Sequence, residues 1–259
     1  MTPDVVVDVG NSRVKWGRVA GGRVAELVSQ AHDDTVGWKR QAEAWGLPPA
    51  ARWVMAGVNP PAMWRLHEWL TARGWGCRTV TSGELSAVRP GGFSTAVDEP
   101  DKVGADRLLG ALAAARRKPA GARAVVIQVG TAMTIDFVRA SGRHVGGAIL
   151  PGPRLMARAL HRHTAKLPLV EVEPAVPSAV WGANTTDAVR LGVANAVLGA
   201  ADQMVWDWAA GRELPPAVFV TGGDAGFFRG FVFTADTAGV FLEPCLVLDG
   251  LRLAAEALP

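Results

Sequence analysis

The chain has no tyrosine and only two cysteines, Cys77 and Cys245, among its 259 residues. Two lone thiols far apart in a chain of this length fit a reducing compartment better than a disulfide-stabilised secreted fold. No apolar run is long enough to cross a bilayer, and the N-terminal residues show neither a basic segment nor a cleavage pattern. The sequence therefore predicts a cytoplasmic protein with no membrane partner.

An excess of charge of one sign is also missing. The formal net charge is +3, and the lysines and arginines are scattered along the chain. The longest basic cluster, residues 116–118, precedes a proline and is typical of the end of a helix. Because no basic stripe and no known binding module accompany the charge, the sequence predicts no nucleic-acid partner.

Several common catalytic motifs are absent. The sequence has no Walker A motif, no G-x-G-x-x-G after a predicted strand and no G-x-S-x-G elbow. This argues against P-loop kinases and Rossmann dehydrogenases. The five histidines show no metal-ligand spacing, and we expect them to lie on the surface.

A segment that occurs twice is the most informative feature present. Residues 5–17 read VVVDVGNSRVKWG, and residues 125–137 read VVIQVGTAMTIDF. Each is an apolar run that ends in a polar residue, then Val-Gly, then small polar residues. Glycine lets the backbone approach a ligand closely, and hydroxyl and amide side chains donate hydrogen bonds. The repeat predicts two phosphate-binding turns in two related half-domains.

The pattern of apolar residues and turn signals predicts an α/β protein of duplicated type. Each half is a three-stranded antiparallel meander followed by alternating helices and strands. Strands are predicted at 4–9, 12–19, 23–29, 52–57, 77–81, 123–129, 133–140, 144–149 and 217–221. Helices are predicted at 36–46, 62–73, 105–117, 153–166, 183–210 and 249–257. A Pro-Ala-Gly boundary at 119–121 separates an N-terminal half, 1–118, from a C-terminal half, 119–259.

Asp8 and the residues after it form the first candidate site. A carboxylate at a strand end can hold a divalent cation. Asn11 and Ser12 can contact phosphate oxygens, and Lys15 can add a positive charge. The alternative interpretation is a capped β-turn at a sheet edge, since Asp, Asn and Gly are frequent turn residues.

Gly104-Ala105-Asp106-Arg107 lies where a loop turns into a helix. Asp106 in the first helical turn is either an electrostatic cap or a general base aimed at a substrate hydroxyl. Arg107 opposes the helix dipole there, so a contact to an anionic ligand explains it better than helix support does.

Three further segments match a nucleotide site. The second turn places Thr134 and Asp136 on one face of a strand, which suits a polar cleft or an exposed strand face. The glycines of segment 146–152 precede a helix whose amides can bind an anion, although tight packing explains them equally well. Thr221-Gly222-Gly223-Asp224 follows a strand and can border a base or ribose, or be a plain connection.

Taken together, these residues resemble the type III pantothenate kinases of the acetate and sugar kinase/Hsp70/actin superfamily. The matching segments occur in the family's order and span nearly the whole chain. They are DVGNSRVKWG (8–17), GADR (104–107), VGTAMTID (129–136), GGAILPG (146–152), AKLP (165–168), NTTDAVRLG (184–192), VTGGDA (220–225) and LVLDGL (246–251).

The resemblance implies two duplicated ribonuclease H-like, actin-like ATPase lobes with a central cleft. It implies ATP-dependent phosphorylation of pantothenate to 4′-phosphopantothenate, the first step of coenzyme A biosynthesis, by a homodimer that uses ATP and Mg²⁺. Asp106 is then the base. ATP and metal contacts are implied for Asp8, Gly10, Asn11, Ser12, Lys15, Gly130, Thr131, Thr134, Gly222 and Gly223. Pantothenate contacts are implied for Gly104, Ala105, Arg107 and Thr185, the last of these from the neighbouring subunit.

Two residues depart from the family's pattern. The family usually has Asp where Gln128 stands, and that Asp is associated with a monovalent cation, K⁺ or NH₄⁺. Gln128 offers an oxygen without a charge, so the metal requirement at this position stays open. The family often has Tyr three residues before the Pro that precedes GxDR, where this chain has Val97. These departures support one alternative, a non-catalytic accessory or regulatory protein with an ATP cleft. A third interpretation is a polyphosphate or nucleotide hydrolase built on the same cleft.

Overall fold

The computed structural model describes residues 2–211 and 213–258, and the chain forms two compact units. The first unit comprises Met1–Arg116 and Cys245–Pro259, and the second comprises Arg117–Pro244. The division after residue 116 lies close to the predicted boundary after residue 118. The last segment differs from the prediction, because it packs with the first unit and not with the C-terminal half.

The first unit is built on a five-stranded sheet. The strands of this sheet are β1 (Val5–Val9), β2 (Val14–Ala20), β3 (Arg23–Gln30), β4 (Trp53–Gly57) and β5 (Cys77–Thr79). The two-residue strand β6 (Ser94–Thr95) belongs to this unit but not to this sheet. Its helices are α1 (Thr35–Ala44), α2 (Pro60–Thr71), α3 (Ser82–Val88), α4 (Ala105–Arg117) and, at the C-terminus, α7 (Leu246–Ala257). The sheet has the order β3-β2-β1-β4-β5, with β1 antiparallel to β2 and parallel to β4.

The second unit repeats this arrangement. Its strands are β7 (Ala124–Val129), β8 (Ala132–Val138), β9 (Arg143–Pro151), β10 (Ala217–Thr221) and β11 (Gly239–Leu242), and its helices are α5 (Pro153–His163) and α6 (Thr185–Ala209). These strands have the order β9-β8-β7-β10-β11, with β7 antiparallel to β8 and parallel to β10. Since β7 takes the place of β1, the predicted duplication is confirmed at the level of topology.

Tryptophan dominates the core of the first unit. Six rings lie in one network, with centroids 4.9 to 6.3 Å apart: Trp16, Trp38, Trp45, Trp53, Trp69 and Trp75. Aromatic rings at such distances bury large apolar areas. Two of the pairs, Trp16–Trp53 and Trp38–Trp69, pack edge to face, and the others are tilted. The core of the second unit is mainly aliphatic, with the inner face of α6 supplying Val193, Val197, Ala201 and Val205.

The C-terminal helix belongs to the first unit because of how closely it packs. It contacts β1, β3 and β4. A Cβ atom on Gly250 would lie 2.0 Å from the Leu109 carbonyl oxygen, so α7 approaches α4 at backbone distance. Asp249 is buried and accepts a weak hydrogen bond from the Val24 N–H at 3.4 Å. These contacts fasten α7 to the sheet and to the helix that begins beside Asp106.

Several elements differ from the sequence prediction. Helix α3 was not predicted, although Thr81 and Glu84 form a capping box at its start. Strand β11 was not predicted either. Helix α2 begins at Pro60, where a loop was predicted, because Asn59 caps it by accepting a hydrogen bond from the Ala62 N–H. In the part of the chain that the structure describes, no helix has the length and apolar character to span a bilayer.

Candidate active site

The first polar cluster lies where β1 ends. Asp8 is buried, with 7% of its surface exposed, and pairs across the antiparallel strands with Lys15. Burial raises the pKa of the Asp8 carboxyl to about 6; the Lys15 ammonium opposes this shift, and the Asp106 carboxylate adds to it. Such an electrostatic effect requires that Asp106 lie near Asp8. The first unit therefore brings together two of the predicted site residues.

The turn after β1 is closed by its own backbone. The Gly10 N–H donates to the Arg13 carbonyl at 3.1 Å, and Asn11 and Ser12 between them are exposed. Nε2 of the His32 ring lies 3.0 Å from the Gly10 carbonyl oxygen. His32 is half-buried. Sequence reasoning gave this histidine no role.

The start of α4 holds the second carboxylate. Asp106 lies in the first helical turn, as predicted, and its Oδ1 accepts a hydrogen bond from the Arg107 N–H at 2.9 Å. A Cβ atom on Gly104 would lie 2.5 Å from that oxygen and 3.4 Å from Cγ1 of Val58, so a larger residue here would displace the Asp106 carboxylate. Ala105 is buried, whereas Asp106 and Arg107 are half-buried. The helix start thus fixes the carboxylate while keeping it partly open to solvent.

The second turn is one residue shorter than the first. Val9 pairs with Val14 across the first turn, whereas Val129 pairs with Met133 across the second. The two repeated segments therefore match without a gap only as far as the glycine. In the first unit, Asp8 pairs with Lys15 across the two strands. In the second unit, the corresponding pair is Gln128 and Thr134.

Polar groups line the second turn, but Gln128 takes the place at the end of β7 that the carboxylate of Asp8 has in β1. The Gly130 N–H donates to the Ala132 carbonyl at 3.0 Å, and Gln128 and Thr131 are half-buried. Thr134 is buried, and its Oγ1 has no hydrogen-bond partner among the described residues. An unpaired buried hydroxyl is costly, so a ligand oxygen at this position would be stabilised.

Two of the predicted glycine segments converge on the second turn. The Gly152 N–H donates to the Thr131 carbonyl at 2.9 Å, and a Cβ atom on Gly152 would lie 1.8 Å from the Gly130 carbonyl oxygen. Gly222, with φ +104°, would place a Cβ 2.2 Å from the Val129 carbonyl oxygen. Both positions therefore require glycine for close backbone packing. For segment 146–152, this is the alternative that the sequence had left open.

In the first unit, Gly57 likewise packs closely against the backbone of the central strand, and sequence reasoning missed it. A Cβ atom there would lie 2.5 Å from the Val9 carbonyl oxygen, and the Val58 N–H donates to that oxygen at 3.0 Å. Gly57 ends β4 as Gly222 follows β10, each on the parallel neighbour of the central strand.

The loop after β10 also contains open space. A Cβ atom on Gly223 would meet no atom within 4 Å. Asp224 is buried and ion-paired with Arg154 at 3.0 Å, and its N–H donates to the Val129 carbonyl at 3.0 Å. Sequence reasoning quoted Asp224 within a motif but missed this ion pair, which fixes the loop to the start of α5.

Two substrate-related positions lie on the surface or near it. Thr185 is exposed and is the first residue of α6, in the second unit. Val97 is half-buried in the first unit, where its N–H donates to Oγ1 of Thr95 at 3.4 Å. The hydroxyl that a tyrosine would bring to this position is replaced by an aliphatic side chain.

One expectation about histidine and one about the second strand face were wrong. His144 is completely buried, and its Nε2 lies 2.9 Å from Oδ1 of Asp136, which is also completely buried. The pair joins β8 to β9 inside the unit, so Asp136 belongs neither to an open polar cleft nor to an exposed face. His67, His161 and His163 are exposed, as expected. Over residues 2–211 and 213–258, no three His, Cys, Asp or Glu side chains group as metal ligands.

Comparison with known proteins gives matches over most of the chain. A family model described as type III pantothenate kinase matches residues 5–207. The type III pantothenate kinase of Alkalilimnicola ehrlichii is 35% identical over 259 residues, with 98% of each chain covered. That of Halorhodospira halophila is 33% identical over 256 residues, with 95% of each covered. A solved structure, the activator of the 2-hydroxyisocaproyl-CoA dehydratase from Clostridium difficile, is 12% identical with a TM-score of 0.53, covers 99% of this chain and 96% of its own, and is alike in fold alone.

Proposed function

The chain belongs to the type III pantothenate kinase family, and from this premise we propose that it transfers the γ-phosphoryl group of ATP to pantothenate, the first step of coenzyme A biosynthesis. The observation that carries the proposal is the family match over residues 5–207, which includes Asp8 and Asp106. Their electrostatic interaction within one unit supports a shared site. The family match favours a kinase over the accessory protein and the hydrolase.

We infer that Asp8 holds Mg²⁺ and that Asn11, Ser12 and Lys15 contact the phosphates of ATP. Burial without full charge compensation supports this role, because a bound cation would favour the ionised form of Asp8. Mg²⁺ sites usually combine one or two carboxylates with substrate phosphates, and the oxygens of this turn suit that ion. The ion would neutralise negative charge on the phosphate oxygens.

In the second unit we assign phosphate contacts to Gly130, Thr131 and Thr134, and the adenosine border to Gly222 and Gly223. The unpartnered Thr134 hydroxyl and the open space beside Gly223 support these roles. Gly10 has the matching place in the first turn. One lobe is proposed around each sheet, with α7 counted in the first lobe.

Asp106 is proposed as the base. As the pantothenate hydroxyl oxygen bonds to the γ-phosphorus, the bond from that phosphorus to the bridging oxygen of ADP breaks, and the hydroxyl proton passes to the Asp106 carboxylate. Positioning and charge neutralisation supply most of the rate in such transfers. Gly104, Ala105 and Arg107 are proposed to bind pantothenate beside this carboxylate, and Thr185 to bind it from the partner subunit of a homodimer.

We further propose that the enzyme is cytoplasmic and responds weakly to monovalent cations. Gln128 supplies a neutral oxygen at a position where a carboxylate would attract K⁺ or NH₄⁺ more strongly. This makes Gln128 a weak metal ligand in comparison with Asp8.

A coupled assay of ADP release tests the proposed function. ADP release from MgATP that rises on addition of pantothenate, with phosphopantothenate detected as product, supports the kinase. Release that is independent of pantothenate would show a hydrolase, and nucleotide binding without release would show an accessory protein. Either result would overturn the proposal.

A further inference from the structure

The carbonyl of Gly10 is held by a side chain that comes from a distant point in the sequence. Nε2 of His32 lies 3.0 Å from this oxygen, across a separation of 22 residues. A carbonyl oxygen can only accept, so Nε2 carries the hydrogen and donates it. The contact therefore fixes both the tautomer of the imidazole and the orientation of the Gly10–Asn11 peptide.

The segment that carries His32 is itself fixed in place. Nε1 of the fully buried Trp38 donates to the Ala31 carbonyl at 3.1 Å. From α2, Nη1 of Arg65 donates to the His32 carbonyl at 3.4 Å. With its backbone held at both sides, the half-buried ring has little freedom to leave the turn.

Strand register shows that the second unit has a glycine at the corresponding position. Val14 pairs with Gln30 in the first unit, and Met133 pairs with Leu150 in the second. His32 lies two residues after Gln30, and Gly152 lies two residues after Leu150, so these two residues occupy corresponding positions. A Cβ atom on Gly152 would lie 1.8 Å from the Gly130 carbonyl oxygen. The carbonyl of the turn glycine is therefore contacted by an imidazole in the first unit, at Gly10, and packed against the backbone of a glycine in the second, at Gly130.

Holding the Gly10 carbonyl sets the direction of the next amide. A trans peptide is planar, and its C=O and N–H point in opposite directions. With the oxygen turned towards His32, the Asn11 N–H points away from the histidine, and Asn11 itself is exposed. A free peptide could rotate and present its carbonyl to the phosphate, which would repel it.

We propose that His32 is a positioning residue for MgATP, which orients the Gly10–Asn11 peptide so that its N–H faces a phosphate oxygen. This inference rests on the proposed function, because it assumes that the first turn binds the triphosphate. It concerns nucleotide affinity and not the proton transfer at Asp106.

The test compares His32→Ala with His32→Gln, whose amide can donate in place of Nε2, and with His67→Ala, an exposed histidine on α2. We expect the KM for ATP to rise about fivefold in His32→Ala, as for loss of one neutral hydrogen bond. We expect it to stay within about twofold of the wild type in His32→Gln and His67→Ala. The KM for pantothenate should be unchanged throughout.

Three results would overturn the proposal: an unchanged KM for ATP in His32→Ala, equal effects of Ala and Gln, or equal shifts in both KM values. If His32→Ala fails to fold, His32→Asn, with a shorter amide, replaces it against His32→Gln. Titration calorimetry with MgADP, without pantothenate, gives the same comparison independently of turnover. A wild type that binds nucleotide but ignores pantothenate refutes the proposed function and still leaves the histidine tested.

Discussion

The two turns that follow β1 and β7 occupy the same place in two sheets of the same strand order, yet they are built differently. The first is flanked by charged side chains, Asp8 and Lys15, and its Gly10 carbonyl contacts an imidazole. The second has neutral Gln128 and Thr134 in the corresponding positions and is packed by the backbones of Gly152 and Gly222.

This difference supports different proposed roles for the two turns of the repeat. The first turn concentrates charge and titratable groups, so it suits the proposed metal binding. The second turn is shaped by glycines that no other residue can replace, so it suits close contact with a ligand through the backbone. The following four changes, from the largest expected effect to the smallest, test this contrast.

Gly152→Ala should affect the second turn most severely. Its Cβ would lie 1.8 Å from the Gly130 carbonyl oxygen, so the backbone must move, and we expect stability to fall by about 3 kcal/mol or more. Denaturant unfolding measures this. Gly199→Ala, in an open position on α6, is the control and should be neutral or slightly stabilising. Gly10→Ala, whose nearest contact is at 3.4 Å, should cost much less. Equal losses at Gly10 and Gly152 would contradict the contrast.

Asp106→Asn should reduce turnover by about 100-fold or more, since general bases contribute about this much. Nucleotide binding should persist, because Asp106 is assigned to the acceptor alcohol and not to ATP. Steady-state kinetics and MgADP titration measure the two quantities separately, with exposed Glu68→Gln as the control. Turnover close to that of the wild type would remove Asp106 from the mechanism.

Asp8→Asn should stabilise the fold at neutral pH, although it removes the proposed Mg²⁺ ligand. Burial raises the pKa of Asp8 from 3.8 to about 6, so the native state binds this proton more tightly than the unfolded chain does. The stability that comes with the neutral carboxyl is fully present below about pH 4 and is lost as the pH rises through 6. We expect Asp8→Asn to be about 2 to 3 kcal/mol more stable than the wild type at pH 7.5 and equal to it near pH 3. Unfolding by urea at both pH values tests this, and a stability gain that is independent of pH would contradict it.

Gln128→Asp should have the smallest effect. A carboxylate at the end of β7 would make the second turn resemble the first, and we expect K⁺ to stimulate turnover about threefold more than in the wild type, the size of a screened charge interaction. Turnover in K⁺ against Na⁺ buffers measures it. A wild type that already depends strongly on K⁺ would show that the neutral oxygen suffices.

The sequence predicted local features well. The repeated strand–turn–strand pattern and the GADR helix start both follow from residues close together in the chain, so β1, β7 and α4 lie within a residue of their predicted bounds. Site residues that lie within such motifs were therefore found, although their roles remain predictions.

Features that depend on distant contacts were missed. The one-residue difference between the turns is set by strand register, which a comparison without gaps cannot show. His32 meets Gly10, and His144 meets Asp136, only through sheet pairing. Helix α7 joins the first unit because Gly250 fits against Leu109, a contact between opposite ends of the sequence. The capping box of α3 was a readable local signal that was overlooked.

The tryptophan network has an optical consequence. Tyrosine is absent, so tryptophan is the dominant fluorophore, and seven of the ten indoles lie within the first unit. Intrinsic emission therefore reports mainly on the unit that carries both carboxylates. Rings at 4.9 to 6.3 Å also exchange excitation energy, so loss of their packing should change the near-ultraviolet dichroism as well as the emission. Melting of this half of the molecule can thus be followed without an added label.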